Sequence, residues 1–328
     1  MAVIFLLGYQ ALWYAMVNVQ GVDYRYSLLN GAVFAGIALK CQEQKKENTD
    51  ETGLNKKKRK ISKKFACAWI LVGCIGLLVV MVSYFKENYV QVSDELSGKK
   101  VVCLGDSIWG LVQDDTGIAS LLEKMTGATV VNCAIPGTTA SKTETESEND
   151  VSSLALCQIV RRLQADEGNT ISKIESSLED AEYLILAYGL NDYFYGNEAI
   201  SNGTDDLSTY EGALRSAIEY IRKEYPDIRI VLIGQTYCQL YSYGVVEEDS
   251  DTRDFGGGVG MDYVKAAESL SKEYDLLFIN MYQQIPMDVW SGIRYLEDAI
   301  HLNELGRKKY AKVVSEYLLN DYKERNAQ

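Results

Sequence analysis

The chain has 328 residues, more than one typical domain, and 47% of them are apolar, which is enough to form a sizeable core. Its net charge of −13 is unevenly divided: residues 1–85 carry 11 basic and 5 acidic side chains (+6), whereas residues 86–328 carry 22 and 41 (−19). The C-terminal part therefore lacks the basic footprint of a nucleic-acid-binding protein, and no nucleic-acid partner is expected.

The first 64 residues combine apolar runs with a polar, basic linker. Uncharged runs from Ala2 to Val19 and from Tyr26 to Leu39 are consistent with two short spans, a re-entrant hairpin or an interfacial helix. We therefore assign residues 1–39 to hydrophobic membrane segments. Residues 40–64 are low in apolar side chains and end in KKKRKISKK, which predicts a solvated cytoplasmic linker.

An uncharged segment, FACAWILVGCIGLLVVMVSYF, follows this basic cluster at residues 65–85. Its length matches the hydrocarbon thickness of a bilayer, so it predicts a transmembrane helix, with a buried core helix as the alternative. Basic residues stay on the cytoplasmic side of a span, which places everything after Phe85 outside the cytoplasm. Residues 86–97 are then a stalk, and residues 98–328 form an extracytoplasmic domain of a cell-membrane protein.

From Gly98 onward, short apolar runs alternate with stretches of helical period. Continuous apolar strands between helices are typical of a parallel sheet covered on both faces, so we expect a three-layer α/β/α fold with a mainly parallel five-stranded sheet. The predicted strands are residues 100–105, 129–135, 182–189, 229–237 and 276–282. The predicted helices are Ile118 to Met125, Val151 to Gln164, Ser208 to Tyr225, Val259 to Tyr274 and Asn303 to Leu319.

Glycine and polar residues follow three of these strands, and a further pair precedes the last helix. In chain order they are Gly105, Asp106 and Ser107 in VVCLGDS, Gly137 in IPGTT, Gly189, Asn191 and Asp192 in YGLND, and Asp298 and His301 in DAIHLNELG. Ligands of open α/β sheets bind outside the carboxyl ends of the strands, so Ser107, Gly137 and Asn191, which all follow strand ends, can meet at one rim.

The chemistry of these side chains fits acyl transfer. A serine hydroxyl is a poor nucleophile until a base takes its proton, and His301 is the only histidine in the chain. An aspartate three residues before a histidine can reach its Nδ1 and leave Nε2 for Ser107. Each feature also has a structural interpretation, as a helix-capping serine, a structural histidine or an ordinary Asn-Asp turn. Their occurrence together favours catalysis.

These four blocks, in this order, resemble the SGNH hydrolases, also called the GDSL esterase/lipase family, over about residues 98–321. The resemblance implies a flavodoxin-like SGNH fold with Ser107 as nucleophile, His301 as general base and Asp298 as its orienting partner. It also implies an oxyanion hole made by the backbone N–H groups of Ser107 and Gly137 and the side-chain amide of Asn191, with Gly105, Asp106, Gly189 and Asp192 in supporting positions. Leu302 departs from the family, many members of which have proline after the histidine.

Other motifs are less informative. The seven cysteines show no ligand spacing, and with a single histidine neither a metal nor another cofactor is expected. The sequence DFGGGVG, Asp254 to Gly260, suggests an anion cradle or, more simply, a flexible loop near the site. Tyrosines in predicted loops suit sugar faces but also ordinary half-buried surface; they are Tyr193, Tyr195, Tyr241 and Tyr243.

We therefore expect a membrane-anchored serine ester hydrolase that acts on O-acyl, most simply O-acetyl, esters of a carbohydrate or cell-envelope polymer. The same triad would also serve an O-acyltransferase, and a multi-span membrane protein would then have to supply the acyl group. A tethered, non-catalytic glycan-binding domain is a third interpretation.

Overall fold

The computed structural model describes residue 89 and residues 92–142, 154–165, 169–201, 206–242 and 245–327. The predicted membrane segments at 1–39 and 65–85 and the predicted linker at 40–64 lie outside these ranges. Within them, no helix combines the length and the apolar character needed to cross a membrane. Most of the predicted stalk is described, and Leu96 in it is fully buried and donates its N–H to Thr126 O at 3.0 Å. Residues around Leu96 thus pack as part of the folded domain.

A five-stranded sheet forms the centre of this domain. Its strands are β1 (Lys100–Gly105), β2 (Thr129–Asn132), β3 (Ala181–Ala187), β4 (Arg229–Gly234) and β7 (Leu277–Asn280). They lie in the order β2-β1-β3-β4-β7, and all four pairings are parallel. This is the flavodoxin-like order, and it confirms the predicted parallel five-stranded sheet.

Successive residues of the central strands point to opposite faces of the sheet, as the period of a strand requires. In β1, Val101 and Cys103 belong to one core, whereas Val102 and Leu104 belong to the other. All four are buried. Burial on both faces explains why the strands appear in the sequence as continuous apolar runs rather than alternating ones.

Helices cover both faces and complete the three layers. One face packs against α2 (Ile118–Thr126) and α10 (Glu304–Asn326). The other packs against α3 (Leu156–Ala165), α4 (Asn169–Leu178), α6 (Tyr210–Glu224) and α7 (Gly260–Glu273). Short helices fill the connections: α1 (Ser107–Gly110), α5 (Leu190–Tyr195), α8 (Met281–Gln284) and α9 (Gly292–Tyr295).

Besides these short helices, helix α4 and a β-hairpin were not predicted from the sequence. Helix α4 is mostly polar and buries a narrow stripe that includes Ile174 and Leu178. A hairpin of β5 (Gln239–Ser242) and β6 (Val245–Asp249) forms a separate antiparallel pair. Strand β4 also ends at Gly234, short of the predicted end at Tyr237, because β7 pairs with it only as far as that glycine.

Candidate active site

The residues singled out by the sequence lie beyond the carboxyl ends of three neighbouring strands. Ser107 follows β1, Gly137 follows β2, and Gly189 and Asn191 follow β3. Because β1 lies between β2 and β3 and all three are parallel, their ends meet at one edge of the sheet.

Ser107 is held at the start of a short helix that leaves β1 abruptly. Asp106 caps this helix by accepting the N–H of Ile108 at 2.9 Å, so the half-buried Ser107 side chain opens the first turn. Gly105 lies so close to β3 that a Cβ there would be 2.8 Å from Ala187 O. Burial raises the pKa of the Asp106 carboxyl to about 7, against the opposing effect of the Ile108 N–H.

His301 lies on a tight loop between α9 and α10. An antiparallel bridge between Leu296 and Leu302 closes the loop, and Glu297 N–H donates to His301 O at 2.8 Å. Inside it, Asp298 Oδ1 accepts the N–H of Ile300 at 2.7 Å and that of His301 at 2.6 Å. The loop thereby holds the Asp298 carboxylate beside the His301 ring.

Three side chains form one continuous hydrogen-bonded chain. His301 Nδ1 lies 2.8 Å from Asp298 Oδ2, and His301 Nε2 lies 3.0 Å from Ser107 Oγ. The carboxylate can only accept, so Nδ1 carries the proton in the neutral ring and Nε2 accepts from the serine.

The Asp298 carboxylate keeps its charge over a wide pH range. Partial burial would raise its pKa, but the hydrogen bonds from the His301 ring and from the N–H groups of His301 and Ile300 outweigh burial and leave the pKa below its ordinary value. An ionised carboxylate beside Nδ1 stabilises a protonated imidazole.

Gly137 and Asn191 approach the same edge. Gly137 has φ of +83°, a left-handed conformation that favours glycine. Asn191 donates one Nδ2 hydrogen to Thr138 O at 2.8 Å, which leaves the second available to a ligand. At Gly189, φ is +126° and a Cβ would lie 3.2 Å from the Tyr210 ring, so both conformation and space require glycine before α5.

The contacts of Asp192 could not be found by sequence reasoning. Its side chain is fully buried, and its carboxylate accepts the N–H groups of Ala140 and Ser141, each at 2.9 Å, as well as the Ser141 hydroxyl. These donors lie about 50 residues away on the loop that carries Gly137. The only local signal is that Asp192 follows a strand.

The remaining motifs have internal explanations. Asp254 Oδ1 accepts the N–H groups of Gly256 at 2.6 Å and Gly258 at 3.0 Å, so a carboxylate of the loop itself occupies those donors. Tyr193 is buried, whereas Tyr195 is 64% and Tyr241 46% exposed; Tyr243 lies outside the described residues. Among the described residues, the free thiols are buried and no side-chain cluster could hold a metal ion; these thiols are Cys103, Cys133, Cys157 and Cys238.

A family model described as the GDSL-like lipase/acylhydrolase family matches residues 103–309. A protein from Lactobacillus plantarum has a similar structure at 19% identity and a TM-score of 0.52, covering 71% of this chain and 99% of its own. A possible lipase from Chitinophaga pinensis (15% identity, TM-score 0.47) covers 67% and 98%, and a carbohydrate acetylesterase family member from Sinorhizobium meliloti (15%, 0.45) covers 67% and 97%. No curated protein matches the chain in sequence.

Proposed function

The chain belongs to the GDSL-like lipase/acylhydrolase family and is an ester hydrolase, and on that premise we propose that Ser107, His301 and Asp298 are its catalytic triad. The hydrogen-bonded chain from Ser107 Oγ through the His301 ring to Asp298 carries this proposal. It has the connectivity that acyl transfer by a serine requires.

In the acylation step, Ser107 Oγ attacks the carbonyl carbon of the ester. The C–O bond forms as the hydroxyl proton passes to His301 Nε2, and Asp298 stabilises the imidazolium that results. The tetrahedral intermediate then collapses. The bond to the leaving alkoxide breaks, that oxygen takes the proton from Nε2, and an acyl-serine remains.

The negative charge on the carbonyl oxygen needs fixed donors at each tetrahedral stage. We assign this role to the N–H groups of Ser107 and Gly137 and to the second Nδ2 hydrogen of Asn191. In deacylation, a water oxygen attacks the acyl carbon as His301 Nε2 takes a proton from it. The tetrahedral intermediate then collapses: the bond to Ser107 Oγ breaks, Ser107 Oγ takes the proton back from Nε2, and the carboxylic acid leaves.

Exposed aromatic side chains beside the His301 loop favour an acylated carbohydrate as substrate. Trp290 is 75% and Tyr241 46% exposed. Gln239, at the start of the hairpin with Tyr241, donates its N–H to Ala299 O at 2.8 Å and its amide to Asp288 O at 3.1 Å. Asp288 in turn accepts the Trp290 N–H at 3.0 Å. Both rings thus belong to segments that are hydrogen-bonded, directly or through Gln239, to the loop that carries His301. Aromatic rings of this kind can pack against the apolar face of a sugar.

The cellular setting is part of the proposal. The basic cluster at Lys56–Lys64 before the apolar segment 65–85 supports a cell-membrane anchor with the catalytic domain outside the cytoplasm. An acyl polysaccharide or another envelope polymer then lies within reach of the tethered site. If the acyl group passes to a sugar hydroxyl instead of water, a multi-span membrane partner has to supply it.

Full-length protein tested on a panel of acyl esters, with and without sugar acceptors, distinguishes these activities. Release of free acid from O-acetylated oligosaccharides supports the hydrolase, whereas acyl-sugar product supports a transferase. Ser107→Ala is the matched control and should release no acid above background. Failure of a fluorophosphonate to label the wild-type protein would contradict both activities and leave glycan binding.

A further inference from the structure

The loop that carries Gly137 lies outside regular secondary structure, so its conformation depends on individual contacts. Near its start, Ile135 N–H donates to Gly105 O at 2.9 Å, and Thr138 Oγ1 donates to Ile135 O at 2.7 Å. Gly137 itself is exposed between them. These bonds fix the loop toward β1 but leave its far end to be held by something else.

Helix α5 holds that far end through two consecutive residues. The Asn191 amide binds Thr138 O, and the Asp192 carboxylate binds the N–H groups of Ala140 and Ser141. Asn191 therefore binds a carbonyl on the loop, and Asp192 binds two N–H groups that lie two and three residues after that carbonyl. Gly137 and Asn191 are the two proposed oxyanion donors that do not follow β1. The hydrogen bonds of Asn191 and Asp192 to the loop set the distance between these two donors.

Only a carboxylate can satisfy the donors that converge on Asp192. It receives two backbone N–H groups and one hydroxyl, and all three are donors. An amide at this position would turn its NH₂ group toward one of them, leaving a buried donor without an acceptor. Burial works against the charge and raises the pKa of Asp192, while the hydrogen bonds from Ser141 and Ala140 oppose that rise.

The contacts continue from Asp192 to the glycine-rich loop. Ser141 Oγ accepts the Asn197 amide at 2.7 Å, and Asn197 O accepts the Tyr263 hydroxyl. Gly257 packs against the same carbonyl, since a Cβ there would lie 2.1 Å from Asn197 O. Ala199 N–H also donates to Gly257 O at 3.0 Å. The run DFGGGVG therefore serves as a close-packed support for the segment after α5.

We propose that Asp192 is a positioning residue of the oxyanion hole: its carboxylate, supported by Ser141 and Asn197, fixes the Gly137 loop against helix α5. The inference rests on the proposed function, because it concerns the donors assigned there. A misplaced donor weakens the transition state more than the bound substrate, so a positioning role predicts a loss in kcat with little change in KM. Displacing a catalytic group by about 1 Å can cost on the order of 10²-fold in rate.

The test compares Asp192→Asn with Asp321→Asn in the full-length protein, with p-nitrophenyl acetate as substrate. Asp321 is a matched control, since it is also buried and accepts three hydrogen bonds, from Tyr183 at 2.9 Å, Arg229 at 3.2 Å and Arg325 at 2.9 Å. Tyr183 is near the start of β3, so this network lies at the opposite end of the sheet.

For Asp192→Asn we expect kcat to fall by about 10²-fold with KM within about twofold, whereas Asp321→Asn should keep its kcat despite a comparable loss of thermal stability. Equal losses of kcat in the two variants, or an Asp192→Asn kcat close to wild type, would overturn the proposal. Should Asp192→Asn fail to fold, Ser141→Ala tests the same proposal, because it removes one of the three donors to Asp192. An unchanged kcat in Ser141→Ala would overturn the proposal. Ser107→Ala distinguishes failure of the Asp192 proposal from failure of the proposed function: if Ser107→Ala stays active, the proposed function itself is wrong.

Discussion

At the scale of single residues, the proposed mechanism makes Ser107 and His301 one functional unit, joined by the hydrogen bond between Oγ and Nε2. Alanine at either position should lower kcat by on the order of 10⁴-fold or more, and the double variant should be little worse, because either loss already disables proton transfer. Steady-state kinetics of the two single variants and the double variant measure this. Losses that multiply would show that the residues act independently.

The same pair predicts how the rate depends on pH. Only neutral imidazole can accept the Ser107 proton, so kcat/KM measured between about pH 5 and 8 should rise with pH. The pKa of Asp298 is lowered, so that carboxylate is already ionised throughout this range and adds no second inflection. A profile that is flat from pH 5 to 8 would contradict the role of His301.

Asn191 separates this site from a generic serine–histidine pair. If its free Nδ2 hydrogen binds the developing oxyanion, Asn191→Ala should lower kcat by about 10²–10³-fold and barely change KM. Residual activity should remain, because the backbone donors of Ser107 and Gly137 are still present. Initial rates over a range of substrate concentrations measure both constants, and a raised KM with normal kcat would mark Asn191 as a ground-state binding contact.

Asp106 links the site to the pH dependence of stability. Its pKa of about 7 in the folded protein lies above the value of about 3.9 in an unfolded chain, so the folded state binds the proton more tightly. This contribution to stability is present at low pH and is lost as pH rises from about 4 through 7.

Asp106→Asn mimics the protonated acid and still offers an oxygen to Ile108 N–H. Relative to wild type, its free energy of unfolding should therefore increase from pH 4 to 8, by at most on the order of 4 kcal/mol. Urea unfolding of both proteins at several pH values gives the difference. Parallel stability curves would show that Asp106 titrates alike in the folded and unfolded states.

At the scale of secondary-structure elements, the close packing of the glycine-rich loop Asp254–Gly260 can be tested by adding a methyl group to one of its glycines. Gly257→Ala should destabilise the protein by about 1–3 kcal/mol, because the new Cβ would meet Asn197 O at 2.1 Å. Gly234→Ala is the control, since its Cβ would lie no closer than 3.4 Å to a neighbour. Thermal unfolding compares them, and equal melting temperatures for the two variants would argue against a tight contact at Gly257.

An element could be predicted where its own residues carry a clear hydrophobic pattern. Strands such as β1 and β3 are buried on both faces, so the sequence itself carries the apolar run. Among the described residues, β5 and β6 pair with each other and with no other strand, and the hairpin contains polar residues such as Gln239, so it leaves no such run. Helix α4 was missed because its three apolar residues, Ile171, Ile174 and Leu178, stand in an otherwise polar stretch.

The residues of the candidate site could likewise be predicted only where the neighbouring sequence carries the pattern. Ser107 and Asn191 could be placed because each lies a few residues after a strand end, and Asp298 because it is three residues from His301. The role of Asp192 was not predictable in detail, since its partners Ala140 and Ser141 lie on another loop. Such contacts are a property of the folded chain and have no fixed spacing in the sequence.

At the scale of the whole molecule, the two ends of the parallel sheet are specialised differently. The carboxyl ends of the strands gather the proposed catalytic groups around Ser107. The opposite end is bound by charged contacts, with Asp321 linked to both Arg229 and Arg325 and Glu182 linked to Lys99 at 2.8 Å. The proposed catalytic groups thus lie at one rim, while the sheet behind them has buried apolar faces and ion pairs at its other end. On the proposed mechanism, this arrangement keeps the oxyanion donors fixed.

The charge division along the chain predicts which side of the membrane the domain faces. Residues 1–85 are net +6 and residues 86–328 net −19, and the basic cluster Lys56–Lys64 directly precedes the apolar segment 65–85. Positive residues next to a span stay in the cytoplasm, so the acidic domain should face outward. Protease added to intact cells should then remove the domain that carries Ser107, as followed with an antibody to its C-terminus, while a cytoplasmic marker protein stays intact. Replacing the basic residues of Lys56–Lys64 by glutamine should weaken this orientation and yield a protected fraction. Full protection of the unaltered protein in intact cells, with digestion once the cells are broken open, would place the domain inside and contradict the proposed envelope substrate.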